Sequence, residues 1–259
     1  MPSDSSQAAA SPPAMAIVLA AGKGTRMESE LPKVLVPVCG RPMVRYVIDA
    51  LQQAGVAKTV VVVGYEADQV RAEFAGEAGV EFAEQTEQLG TGHAVMMCRE
   101  QLEQHDGPVL VIAGDQCMVQ VSSVRKLFEI FATEKPACLL GTVEKAEPTG
   151  YGRVLRDDEG NFVGIVEEKD ATDQQRAIRE VNVSTYVFDS KELLSTLDQL
   201  TSENAQQEYY LTDCPALLLA AGKLVSAHQV LEPCESMSIN NMQELAIVEA
   251  EMQQMGNDE

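Results

Sequence analysis

Ala16-Ile17-Val18-Leu19-Ala20-Ala21-Gly22-Lys23-Gly24-Thr25-Arg26-Met27, with Pro32-Lys33 a few residues on, is the stretch whose reading decides the fold of this chain. The apolar run Ala16–Ala20 has the length of one buried strand and empties directly into Gly22-Lys23-Gly24-Thr25-Arg26. Gly22 and Gly24 carry no side chains, so the backbone can turn tightly there and bring its N–H groups against an anion, while Lys23, Arg26 and Lys33 add positive charge. The stretch therefore reads as a strand that runs into a phosphate loop. A dinucleotide fingerprint would need glycine three residues after Gly24, where Met27 stands. A Walker loop would need Ser or Thr after Gly22-Lys23, where another glycine stands.

Outward from this loop the sequence alternates short β-rich runs with amphipathic ones. Strands are predicted at Ala16–Ala20, Thr59–Val63, Val80–Ala83, Val109–Ala113, Ala137–Val143, Val181–Phe188 and Leu224–Val230. Helices are predicted at Met43–Ala54, Ala67–Ala75, Gly92–Glu103, Ser122–Thr133, Lys191–Leu200, Glu208–Ala221 and Met242–Met255. Such alternation implies an α/β fold with a doubly wound, mostly parallel sheet and helices on both faces. Residues Tyr151–Glu168 break the rhythm and read as an antiparallel hairpin about the acidic turn Asp157-Asp158-Glu159-Gly160, able to wall a second pocket. In open α/β sheets ligands bind beyond the carboxyl ends of the strands, and Gly22 and Asp115 both stand at such ends.

Composition limits the partners. The 259 residues are 45% hydrophobic, enough for a substantial core in one domain, here taken as 15–259. With 19 Lys+Arg against 40 Asp+Glu the formal net charge is −21, which argues against nucleic acid or an anionic membrane as partner. Yet Lys23, Arg26, Lys33, Arg41 and Arg45 fall in one early segment, as suits a small polyphosphate ligand. The six cysteines show no Cys-x-x-Cys spacing and read as thiols of a reducing cytoplasm. No run approaches the roughly 18 apolar residues of a membrane span. Residues 1–14, rich in Ser, Ala and Pro, read as a disordered tail rather than a secretory signal.

Leu19–Met27 with Pro32-Lys33 resembles the signature of the sugar-1-phosphate nucleotidyltransferases. Further stretches match in the same order: Gln85–Ala94, Gly114-Asp115, Thr149–Arg153, Ile165–Asp170, Glu208–Asp213 and Asn240-Asn241. Together they are similar to the uridylyltransferase half of the bacterial bifunctional N-acetylglucosamine-1-phosphate enzymes, from about Ala16 to about Glu251. The resemblance implies a Rossmann-like nucleotidyltransferase fold, UTP and N-acetylglucosamine 1-phosphate as substrates, and Mg²⁺ as cofactor. It implies nucleotide contacts from Leu19, Ala20, Ala21, Gly22, Lys23, Gly24, Gln85, Gly90, Thr91 and Gly114, with Arg26, Lys33 and Asp115 as catalytic residues. It places Gly152, Glu167, Asn182, Tyr210 and Thr212 around the sugar, and Asp115 and Asn240 on the metal.

The residues allow blander readings of several of these positions. An Asp at a strand end often caps the next helix, His93 is read as packing rather than catalysing, and Glu167-Glu168 could be a solvated face. The chain departs from the resembled pattern at Ala113 (tyrosine in relatives), at Gln116-Cys117-Met118 (a segment usually containing proline) and at Asn182-Val183-Ser184 (Asn-Thr-Gly). No left-handed β-helix acetyltransferase half is expected in this sequence. Acetyl transfer is therefore not expected, nor is a trimer, and a monomer or weak homo-oligomer is.

Overall fold

The structure is a computed structural model, and it describes residues 13–24, 27, 29–204 and 206–256. Most of the predicted tail, residues 1–12, and the loop residues Thr25 and Arg26 lie outside the described residues. The strands are β1 (Met15–Leu19), β2 (Pro37–Val38), β3 (Arg41–Pro42), β4 (Lys58–Val63), β5 (Val80–Glu84), β6 (Pro108–Ala113), β7 (Cys138–Glu144), β8 (Gly152–Arg156), β9 (Phe162–Val166), β10 (Glu180–Asp189) and β11 (Val225–Gln229). The helices are α1 (Met43–Gln53), α2 (Ala67–Glu73), α3 (Thr91–Met96), α4 (Arg99–Glu103), α5 (Val121–Glu134), α6 (Asp173–Arg176), α7 (Ser190–Leu197), α8 (Cys214–Ala220) and α9 (Met242–Met255).

The main sheet runs β11-β7-β10-β6-β1-β4-β5, with β8 and β9 branching from β10. Its centre is parallel: β1 pairs with β4 and β6, and β4 with β5. The apolar runs of these strands are unbroken because both faces are covered. Alternate residues divide between two cores, Ile17, Val60, Val62, Val109 and Val111 facing one way and Val18, Val61, Val63, Leu110 and Ile112 the other. Val95, Leu102, Leu193 and Leu218, from α3, α4, α7 and α8, complete the first core, and Val44, Val47, Val70 and Leu127, from α1, α2 and α5, complete the second. A third cluster of Met27, Val36, Val38, Met43, Cys117, Met118, Ile239, Leu245 and Val248 seats α9 beside the loop that follows β6.

The sheet is mostly parallel as expected, with β10 the exception on its main path, antiparallel to β6 and β7, and two of the predicted helices need correction. β8 and β9 form an antiparallel hairpin about Asp157–Asn161 that pairs onto the start of β10. The helix predicted over Gly92–Glu103 is two, interrupted at Met97-Cys98, because Cys98 is buried in the first core and the chain bends to put it there. The helix predicted from Glu208 starts only at Cys214, with Pro215 in its first turn, and Glu208–Tyr210 is instead extended against the Leu89–Gly92 loop. The two-residue strands β2 and β3 are too short to show as a periodic pattern.

The branch point of the sheet is held by a buried carboxylate. Glu180, 8% exposed, accepts hydrogen bonds from Thr142 Oγ1 at 2.6 Å and from Arg156 Nε at 2.8 Å. Burial acts to raise its pKa, but the Arg156 and Thr142 hydrogen bonds outweigh this and hold it below the ordinary 4.5. A depressed carboxyl adds stability that is present above the unfolded-state pKa and is lost as pH falls through the folded-state value. Glu180→Gln is expected to cost about 2 kcal/mol at neutral pH. It also flattens the fall of Tm below pH 4.5. Thermal denaturation of both proteins from neutral to acid pH checks this, and an unchanged acid slope contradicts it.

Candidate functional site

The site forms where β1, β4, β5 and β6 end together, and backbone bonds lock those ends. Gly114 N donates to Leu19 O at 2.8 Å, Ala20 N to Val62 O at 2.9 Å and Tyr65 N to Ala21 O at 3.1 Å. Gln88 Nε2 adds a 2.9 Å bond to Ala21 O, tying the loop after β5 to the loop after β1. The residues predicted for the nucleotide, Leu19, Ala20, Ala21, Gln85 and Gly114, thus share one wall. Two residues missed from the sequence complete it: Gln88, and Gly64, where a Cβ would stand 2.9 Å from both Ala21 O and Gln85 O. A glycine directly after the apolar run of β4 was the signal for the latter.

Gln85 is 4% exposed and its Nε2 reaches Gly90 O at 3.0 Å and His93 Nδ1 at 3.1 Å. His93 also stacks on Tyr209, with ring centroids 6.3 Å apart, in keeping with the packing role read from the sequence. Thr91 has an added task, since its hydroxyl accepts Leu211 N at 3.1 Å. Two motifs distant in sequence, Gln85–Ala94 and Glu208–Asp213, therefore form one unit.

Gly24 adopts φ +64°, and a Cβ there would lie 2.5 Å from Lys33 Cβ, so the loop lies directly on the lysine. Lys33 Nζ forms an ion pair with Asp115 Oδ2 and donates to Asn240 Oδ1 at 3.1 Å. Residues from three distant parts of the chain thus converge on one positive charge. Asn240 is aimed by its own surroundings: its Nδ2 donates to Ser238 Oγ and Glu244 Oε2, both at 3.0 Å, which turns Oδ1 toward Lys33. The neighbouring Asn241 serves a different purpose, capping α9 through Oδ1. Asp115 caps nothing; α5 begins six residues later at Val121, with Gln120 before it.

The basic residues grouped in the sequence do not all gather here. Arg41 pairs with Asp49, and Arg45 pairs with Glu73 and Glu77 while lying 4.1 Å over the Phe74 ring. Both are drawn off by carboxylates nearer to them, Asp49 on α1 for Arg41, and Glu73 at the end of α2 with Glu77 just beyond it for Arg45. Lys23 lies 5.1 Å over the Tyr65 ring.

Beside Asp115 opens a cavity of about 250 Å³ lined by Gly152, Glu167, Asn182, Thr212, Gln116 and Ser184, among others. Four of the five predicted sugar residues are on its wall. Tyr210 is not; desolvation and then the charges of Glu208, Asp213 and Glu167 push its phenol upward. Glu167 and Glu168 diverge rather than forming a solvated pair. Glu168 pairs with the buried Arg153, whose hydrogen bond holds its carboxyl below the ordinary value. Glu235, 5% exposed, closes the far side, accepting from Gln120 N at 3.0 Å and Glu232 N at 2.7 Å.

Among the described residues no group of three or more His, Cys, Asp or Glu is placed to hold a metal. Asp115 with Asn240 offers one carboxylate and one amide oxygen, already converged on a single cation. That set fits Mg²⁺, which commonly takes one or two protein oxygens and completes its shell with phosphate and water. Among the described residues, no helix is long and apolar enough to cross a membrane.

A family model described as MobA-like NTP transferase domain matches residues 16–209. The bifunctional protein GlmU of Lactococcus lactis subsp. cremoris strain SK11 is 43% identical over 244 residues, covering 94% of this chain and 53% of that protein. The bifunctional protein GlmU of Heliobacterium modesticaldum is 46% identical over 241 residues, covering 92% of this chain and 52% of that protein. The chain thus spans about half the length of these relatives. A Bacillus anthracis structure described as a glucose-1-phosphate thymidylyltransferase with sucrose shares the fold, with a TM-score of 0.74 at 18% identity over 91% of this chain and 95% of that one.

Proposed function

We propose, starting from the fact that this chain belongs to the MobA-like NTP transferase domain family, that it transfers the uridylyl group of UTP to N-acetylglucosamine 1-phosphate, releasing pyrophosphate. The observation that carries this is the convergence of Lys33, Asp115 and Asn240, next to Gly114 of the strand-end wall on one side and to Gln116 and Ser238 of the 250 Å³ cavity on the other. The transferred phosphorus belongs at that junction, with a nucleotide on one side and a sugar phosphate on the other. The similarity to proteins named GlmU over more than nine-tenths of the chain favours UTP and N-acetylglucosamine 1-phosphate over other pairs.

The reaction needs no protein nucleophile. An oxygen of the sugar phosphate attacks the α-phosphorus of UTP in line, forming the new P–O bond as the bond to pyrophosphate breaks, so the protein positions the two substrates and neutralises charge. The wall built by Leu19, Ala21, Gln85 and Gly90 holds the uridine end, and the loop at Gly22–Gly24 turns backbone N–H groups toward the phosphates. Lys33 supplies charge at the transferred phosphoryl group, with Arg26 expected to add to it. Asp115 and Asn240 would hold Mg²⁺, which would supply Lewis-acid polarisation of the phosphoryl oxygens and screen their repulsion. Glu167, Asn182 and Gly152 orient the sugar, and Tyr210 and Thr212 stand at its edge.

Pyrophosphate release measured over a matrix of nucleotides and sugar phosphates with Mg²⁺ tests the reading. UTP with N-acetylglucosamine 1-phosphate is expected to be the best pair. Preference for glucose 1-phosphate or dTTP, or tight UTP binding without product, overturns it.

A further inference from the structure

We propose that Gln116 is a positioning residue that clamps the cavity wall to the strand end carrying Asp115. The proposal rests on the sugar-phosphate reading of the cavity given above. Between Asn182 and Thr185 the pairing of β10 with β7 slips, so Val183 and Ser184 bulge out of the ladder. Ser184 takes φ +61°, a left-handed conformation that strains a residue with a Cβ. Something must offset that strain. Gln116 Nε2 donates to Val183 O, and Gln116 Oε1 accepts from Thr185 Oγ1 at 3.3 Å, so one side chain grips the bulge on both sides of Ser184. From below, Asn182 Oδ1 accepts Ser184 N at 3.2 Å, and Asn182 Nδ2 donates to the buried Tyr186 hydroxyl at 2.8 Å.

Gln116, Asn182, Val183 and Ser184 all line the cavity, and Gln116 directly follows Asp115. The clamp therefore joins the wall for one substrate to the residue proposed to hold the metal. The nucleotide wall shares only the end of β6 with the clamp, where Gly114 N donates to Leu19 O, and is otherwise tied to β1, β4 and β5 by its own bonds. Both clamp bonds run to the bulge in the cavity wall, so loss of the clamp is expected to act on the sugar phosphate more than on the nucleotide.

The experiment is steady-state kinetics of the full chain with both substrates varied. Gln116→Ala, and Gln116→Met as a shape-preserving second variant, are expected to raise KM for N-acetylglucosamine 1-phosphate about tenfold while KM for UTP stays within about twofold. Glycine adopts the left-handed conformation without cost, so adding Ser184→Gly to Gln116→Ala brings the sugar-phosphate KM back to within about threefold of the starting protein. An equal rise for both substrates, or no recovery with glycine at position 184, overturns the clamp. A starting protein that makes no product overturns the functional reading alone. The clamp is then read from the thermal midpoints of the starting chain, Gln116→Ala, Ser184→Gly and the double variant, where strict additivity overturns it and coupling supports it.

Discussion

Asp115→Ala is expected to lower the proposed turnover of UTP with N-acetylglucosamine 1-phosphate by at least ~100-fold, the usual scale for removing a group that stabilises charge in the transition state. The side chain supplies the single carboxylate among the three residues that converge at the junction, and it pairs with Lys33 there. Its removal takes away the carboxylate proposed to hold the metal and leaves the Lys33 ammonium with Asn240 Oδ1 alone of the pair. The fold does not depend on it. The side chain is 22% exposed and belongs to none of the three buried clusters. The far-ultraviolet circular dichroism spectrum is therefore expected to be unchanged. Asp115→Asn keeps an oxygen and the hydrogen bond to Lys33 but loses the charge, and is expected to fall between the two. An active Asp115→Ala protein with normal Mg²⁺ dependence contradicts the assignment.

Gly90→Ala is expected to lower Tm and weaken UTP binding together. Gly90 holds φ +103°, where an L side chain is strained, and an added Cβ would stand 2.5 Å from Tyr209 O and 2.9 Å from Glu208 Cβ. Backbone oxygen cannot swing aside as a flexible side chain can. The loop must part from Glu208–Tyr210, breaking Tyr209 N to Leu89 O at 2.7 Å and Gly92 N to Tyr209 O at 2.8 Å. Strain of this kind and two lost backbone bonds together cost about 3 kcal/mol. For a domain of this size that lowers Tm by roughly 6–12 °C. The same movement takes Gly90 O from Gln85 Nε2, so the side chain expected to read the base loses its orientation. Differential scanning calorimetry and UTP titration of the variant measure the two effects. A Tm within about a degree of the starting protein would falsify the close packing of these loops.

Much of the fold was legible because its signal is local. Seven separated β-rich runs correspond to the seven strands along the main path of the sheet, and burial on both faces leaves the central ones, β1, β4 and β6, almost continuously apolar. The hairpin of β8 and β9 announced itself through the acidic turn at Asp157–Gly160. Direction in the sheet was not legible. β10 reads as a strand like its neighbours, and whether such a strand runs with them or against them depends on which connection brings it there.

The site divides in the same way. Residue types at the strand ends, glycines in the loop and a lone carboxylate after β6 are chemical facts of the sequence, and they marked Lys33 and Asp115 as members of one phosphate-handling site. The sequence also determined, through its acidic excess, that such a site would be a local pocket and not a basic surface. Only the tertiary structure decided which basic residues enter that pocket, sending Arg41 and Arg45 to carboxylates elsewhere. It also aimed Asn240 from the far end of the chain and set Gln116 against a bulge 67 residues away. Each of these depends on contacts between segments that no local pattern links. The energy of a hydrogen bond or ion pair is fixed by distance and direction in space, which the order of residues along the chain does not encode.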